Sequence, residues 1–140
     1  MPNRAHSEVN IGQRLRSHGI SPTAQRVAIA GLLFSRCEHL SAEEIYCLVN
    51  EKEGRRVSKA TVYNTLGLLA KKGVVREVIA DPNRVFYDPN TSPHHHFYDV
   101  DTGQLSDIDA SKVQIHGLPS LPAGTQLEGV EVIVRLRSMK

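Results

Sequence analysis

Cysteine is scarce in this chain. Its 140 residues hold two, Cys37 and Cys47, and no CxxC pair. A cysteine-based zinc site built from one chain is therefore excluded, and both thiols read as reduced and partly buried. No apolar run approaches the roughly 18 residues of a membrane-spanning helix, and the start carries no signal-peptide pattern. The expected setting is the cytoplasm, with no membrane partner. Net charge is only +2, so no field of the whole molecule points to nucleic acid; a DNA-binding surface has to come from local arrangement of charge. Enzyme signatures are missing as well: there is no HExxH, no nucleophile elbow and no phosphate-cradling glycine loop. A small metal-dependent hydrolase would have to rest on histidines, an open metal position and a general base. The expectation is that the chain is not an enzyme.

What is present is an ordinary soluble composition, 40% hydrophobic and 23% charged, arranged first at helical period. Val9, Ile11 and Leu15 mark a short amphipathic segment that stops at Gly19. Ser21 and Pro22 suit an N-cap and first-turn proline, and Val27, Ala30, Leu33 and Phe34 give the next helix its apolar face. Ser41 and Glu44 match a capping box, followed by Ile45, Leu48 and Val49. Ser58 caps SKATVYNTLGLLAKK, with Val57 and Val62 placed as a hydrophobic staple. In that helix Val62, Leu66 and Leu69 form the core stripe, which leaves Lys59, Thr61, Tyr63, Asn64 and Lys71 to other uses. Gly73 ends it. VVREVIA and RVFYD then flank Asp81, Pro82 and Asn83, a turn signal. Two architectures fit this order: a winged helix-turn-helix, or a small helical bundle with an appended hairpin.

The second half is different. PHHHFYDVDTGQLSD, residues 93–107, sets three consecutive histidines beside three aspartates. Asp101, Thr102 and Gly103 form a hairpin turn between HHHFYDV and QLSDI. A Pro- and Gly-rich loop leads to VEVIVRLR, where Val130, Val132, Val134 and Leu136 alternate with Glu131, Ile133, Arg135 and Arg137, the pattern of a half-buried strand. Fewer than 60 residues follow position 83, too few to bury a comfortable core alone; a homodimer with twofold symmetry would supply the missing burial. On a strand His94 and His96 face the same way, so both imidazoles can meet one ion.

PTAQR near residues 22–26, SAEEIY at 41–46, SKATVYNTL at 58–66 and the His-rich segment before DVDTG resemble the ferric uptake regulator (Fur) family over nearly the whole chain. Within it the sequence is most similar to the iron response regulator (Irr) subfamily. The unbroken HHH, the lack of CxxC where most members carry it, and the ending PAGTQLEGVEVIVRLR bear that likeness. The resemblance implies an α+β fold: a winged helix-turn-helix DNA-binding domain over 1–83, then a small α/β dimerisation and ligand-sensing domain over 84–140. It implies a metal site of His39, Asp88, His94, His96 and Asp107, donors that suit Fe²⁺, Mn²⁺ or Zn²⁺. Asp99 and Thr102 stand where thiolates of a structural four-cysteine zinc site would be, so no such zinc is expected. Val130 stands where an additional metal site needs a histidine. Haem, if sensed, would have to use His94, His95 and His96.

The implied partner is operator double-stranded DNA. Lys59 suits phosphate, Thr61 and Asn64 suit base edges or methyl groups, the resemblance implies a contact of Tyr63 to bases or phosphate, and Arg26 is a further phosphate candidate. His6, His18 and His116 read as surface residues. The expected function is an Irr-like dimeric transcriptional regulator of iron- and haem-responsive genes. The alternative is a Fur- or peroxide-sensor-like repressor activated by Fe²⁺ or Mn²⁺. The two differ in sign: added metal tightens DNA binding in the second, whereas the first binds without added iron and is weakened by haem.

Overall fold

A computed structural model describes residues 4–36, 39–51 and 56–139. The side chains of His6 and Val9, and Cys37 altogether, lie outside the described residues. The chain divides into two compact units, Met1–Thr91 and Ser92–Lys140. The break falls later than the 83/84 division read from the sequence, because the strand from Arg84 pairs with the one before it in the first unit.

In the first unit α1 (Arg4–Ser17), α2 (Ala24–Ser35), α3 (Ala42–Val49) and α4 (Lys59–Lys71) pack over a three-stranded sheet. The order across that sheet is β1 (Leu40–Ser41), β3 (Arg84–Asp88) and β2 (Arg76–Asp81), all antiparallel. The apolar stripes meet in one core: Leu15, Ile29, Leu33, Ile45, Val62, Leu66 and Leu69 are all buried. Truncating one such leucine to alanine typically costs about 2–5 kcal/mol. The local signals explain the breaks between helices. Ser41 and Glu44 make the reciprocal capping box, and Ser58 accepts the Thr61 amide at the start of α4. Val57 and Val62 are both buried beside that cap.

α1 and α4 end alike. After α1, Ile20 N–H reaches the Leu15 carbonyl and Gly19 N–H the Arg16 carbonyl, both at 2.9 Å. After α4, Val74 N–H bonds Leu69 O at 2.9 Å and Gly73 N–H bonds Ala70 O at 3.1 Å. This paired closure needs a left-handed residue, and Gly19 and Gly73 sit at φ 78° and 77°. A Cβ at Gly73 would meet nothing within 4 Å, so only backbone strain opposes it. Gly73→Ala is therefore expected to lower stability by about 1–2 kcal/mol, read as a lower denaturant midpoint at unchanged slope.

Two details depart from the sequence reading. The N-cap of α2 is Thr23, whose hydroxyl accepts the Arg26 amide; Ser21 and Pro22 lie ahead of it. Cys47 is exposed on α3 rather than partly buried, because the apolar face of that short helix turns Ile45 inward.

The second unit is a three-stranded sheet in the order β5 (Leu105–Ile108), β4 (His95–Asp99), β6 (Ile133–Leu136). β4 and β5 form the expected hairpin, closed by Gly103 at φ 75°. β6 runs parallel to β4, so a long connection must carry the chain back. Its only described helical piece is the 3₁₀ turn Ala110–Lys112. Asp109 caps that turn: the Ser111 amide, and then its hydroxyl, hold this carboxylate below the usual range. Carboxylates close the turn of β4–β5. Asp99 Oδ1 accepts the amides of Asp101 (2.9 Å) and Thr102 (3.1 Å), and Asp101 Oδ2 accepts the Ser138 amide at 2.7 Å. Leu118, Leu121, Leu127, Leu136 and Met139 are exposed in the single chain. No helix among the described residues is long and apolar enough to cross a membrane.

Candidate functional site

Each unit carries polar groups that its own elements bring together. In the first unit β1 pairs with β3, with Leu40 opposite Tyr87, which sets His39 beside the end of β3. His39 Nδ1 lies 3.7 Å from Asp88 Oδ1, and both side chains are almost closed to solvent. Asp88 Oδ1 also accepts the Asn90 amide at 2.9 Å. A nearly buried carboxylate is costly unless it is bonded or paired with positive charge.

In the second unit the histidine run is buried: His94 is 6%, His95 7% and His96 0% exposed. His96 stands opposite Asp107 across the β4–β5 hairpin, and the rings of His94 and His96 meet edge to face with centroids 4.5 Å apart. Asp107 Oδ1 lies 3.2 Å from His94 Nε2 and 3.4 Å from His96 Nε2.

Hydrogen-bond chemistry fixes what these nitrogens offer. His94 Nδ1 is 2.7 Å from the Ser92 carbonyl. A carbonyl only accepts, so Nδ1 carries a hydrogen and Nε2 is the nitrogen turned to Asp107. His96 Nδ1 lies 3.1 Å from Glu131 Oε1, and its Nε2 lies on the side of Asp107. Two imidazole nitrogens and a carboxylate thus converge, an arrangement that suits a shared proton or a cation. Imidazole nitrogens with carboxylate oxygen suit a divalent transition metal. His95 is set apart. Its Nδ1 accepts the Val132 amide at 3.0 Å, tying the returning chain to β4, and it points to neither Asp107 nor its neighbours' donors in any described contact.

The candidate nucleic-acid residues lie on the first unit. Lys59, Tyr63 and Asn64 are exposed along α4 and Thr61 is half-buried. Thr61 receives the Ser58 hydroxyl at 2.8 Å, so its oxygen is part of the cap. Tyr63 is 42% exposed, which excludes a core role. Arg26 is half-buried and donates to Ser21 O at 3.1 Å, an intramolecular use that holds the turn before α2. Glu43 went unnoticed in the sequence. Its Oε1 lies 3.4 Å from both Lys59 Nζ and the Tyr63 hydroxyl; only its position in an exposed first turn could have marked it. Behind this face, burial and then Glu77 and Tyr63 push the Tyr87 phenol above its usual value. His18 is half-buried and His116 exposed.

The ferric uptake regulator family matches residues 17–132. A peroxide-responsive repressor, PerR, of Staphylococcus epidermidis is 34% identical over 94 residues, covering 67% of this chain and 62% of that protein. The aligned part is thus less than two thirds of that relative. Among solved structures, the ferric uptake regulator of Pseudomonas aeruginosa with manganese superposes at a TM-score of 0.68 with 26% identity, covering 91% of this chain and 97% of that one. The Vibrio cholerae ferric uptake regulator gives 0.69 at 21% identity, covering 91% and 98%, a likeness of fold.

Proposed function

Since the chain belongs to the ferric uptake regulator family, we propose that it is a dimeric, metal-responsive DNA-binding regulator of the Fur and PerR kind. The observation that carries this is the convergence of the His94 and His96 Nε2 atoms on Asp107. His39 and Asp88 supply a further nitrogen and oxygen from the first unit. In this reading His39, Asp88, His94, His96 and Asp107 hold one divalent cation, with Fe²⁺, Mn²⁺ and Zn²⁺ as the chemically suited ions. When bound, the cation supplies the positive charge that lets donors from both units share one point. The protein residues do the rest. Ser92 and Glu131 hold the ring tautomers, and Asp88 and Asp107 present oxygens. Capture of one ion by donors of both units would link the site to the spacing of paired α4 helices, whose half-sites lie about 34 Å apart.

α4 is the proposed reading helix, with Lys59 on phosphate and Tyr63 and Asn64 on bases; Thr61 and Arg26 contribute less, being occupied within the fold. The homodimer is supported by the small size of the second unit, which leaves several apolar side chains exposed in the single chain. The cytoplasm follows as the place of such a regulator.

The finer Irr assignment rests on the unbroken HHH and the absence of CxxC. Haem at His94, His95 and His96 is the weaker reading: all three rings are buried, and His95 Nδ1 is engaged. A gel shift on a duplex selected from a random pool separates the readings. With Mn²⁺ against chelator, affinity is expected to rise about 5–150-fold, the usual range of such coupling. Binding that persists in chelator and is lost on adding haem would instead favour the Irr-like regulator.

A further inference from the structure

Glu131 belongs to none of the expected metal donors, yet it abuts the most buried of them. It lies just before β6, at the end of the long connection after the 3₁₀ turn. The parallel register sets His96 opposite Ile133. Two hydrogen bonds lock the neighbouring residue to the histidine run: His96 N–H donates to Val132 O at 3.1 Å, and Val132 N–H donates to His95 Nδ1 at 3.0 Å. Glu131 is thereby delivered to one side of the His96 ring. Its Oε1 and His96 Nδ1 are both closed to solvent and stand 3.1 Å apart, without the alignment of a linear hydrogen bond.

From this we infer that Glu131 is a positioning residue: its carboxylate holds the His96 proton on Nδ1 and so aims the Nε2 lone pair at the metal side of the ring. The chemistry is one-directional. A carboxylate accepts and cannot donate, so a lone pair on Nδ1 facing it is repelled and a hydrogen there is attracted. Metal-bound imidazoles are commonly oriented in this way by a carboxylate on the far nitrogen, which also raises the basicity of the ligating one. Here the orienting group arrives on the strand that β6 begins, so correct docking of that C-terminal strand and readiness of His96 are linked. The inference rests on the metal reading for its purpose, but the tautomer itself is independent of any ion.

The experiment has two arms on the full-length chain. ¹⁵N-histidine NMR of the metal-free protein at neutral pH is expected to show His96 with its hydrogen on Nδ1. In Glu131→Leu, or in Glu131→Gln with the side-chain amide turned toward the ring, that preference is lost while the His94 signal stays. Mn²⁺ titration of the same proteins is expected to show about 10–100-fold weaker binding in the variants, with Glu131→Asp recovering part of it. A His96 hydrogen found on Nε2 in the natural chain overturns the inference, whether or not the variants fold. Equal Mn²⁺ affinity in natural chain and folded variants overturns it too. Failure of the natural chain to bind Mn²⁺, with the Nδ1 hydrogen in place, sinks the metal reading instead and leaves Glu131 as the group that sets the His96 tautomer.

Discussion

Asp107→Asn is expected to abolish metal binding while leaving the metal-free fold as stable as before or more so. Asp107 Oδ1 faces the Nε2 atoms of His94 and His96, at 3.2 Å and 3.4 Å. Asparagine keeps the size but exchanges one acceptor oxygen for an amide with two hydrogens to donate. That amide can turn to His94 Nε2 and His96 Nε2 and donate to both lone pairs. The same hydrogens close the point where a cation would enter, and the carboxylate charge is gone. Loss of a ligand exceeds loss of an orienting group, which typically costs about 10–100-fold; Mn²⁺ affinity should therefore fall by more than about 100-fold. DNA affinity should lose its response to Mn²⁺ in the gel shift, and the melting temperature without metal should hold or rise. A variant that bound Mn²⁺ like the natural chain would remove Asp107 from the donor set. A large fall in metal-free stability would show that the lone pairs were already satisfied in some other way.

How far this site can be read in the sequence depends on the range of the interactions that build it. His94 and His96 are two apart on a strand, and period two places them together without further knowledge. Asp107 follows from the hairpin, because a short turn at Gly103 fixes which residue faces His96. The capping box at Ser41, the cap at Ser58 and the stripe of Val62, Leu66 and Leu69 are equally local, and the helices start and face as their pattern requires. Glu131 is different. On the strand pattern it is one polar residue among outward-facing ones. Only the parallel register of β6 against β4, set by a connection with no periodicity of its own, brings it to His96. His95 is the reverse case. It looks equivalent to its neighbours in the sequence, but strand alternation turns it to the opposite face, where it accepts the Val132 amide.

On the DNA face the largest expected effects divide Asn64 from Lys59. Asn64 is exposed on α4 with its side-chain amide available for a base edge, the pairing that asparagine makes bidentately with adenine. Asn64→Ala should cost about 1–3 kcal/mol of discrimination between preferred and altered duplexes, while binding to random DNA changes little. Lys59→Ala should do the opposite. It should weaken binding to every sequence and lower the slope of log affinity against log salt by about 0.9, one released counterion. Glu43 refines that expectation. In the free chain its carboxylate holds both Lys59 and the Tyr63 hydroxyl at 3.4 Å, so the ammonium is partly neutralised before DNA arrives. An exposed pair of this kind is worth at most about 1 kcal/mol, small enough for phosphate to outcompete. Glu43→Gln removes a like charge from the path of the backbone and frees Lys59. Affinity for all duplexes should rise several-fold, to the extent that pair energy allows, with the salt slope steeper than in the natural chain. In the Lys59→Ala background the same change should gain much less, because the cation it would release is absent. Fluorescence anisotropy across a salt series on the four proteins reads both quantities. Equal gains in the two backgrounds would mean that Glu43 acts on DNA directly rather than through Lys59.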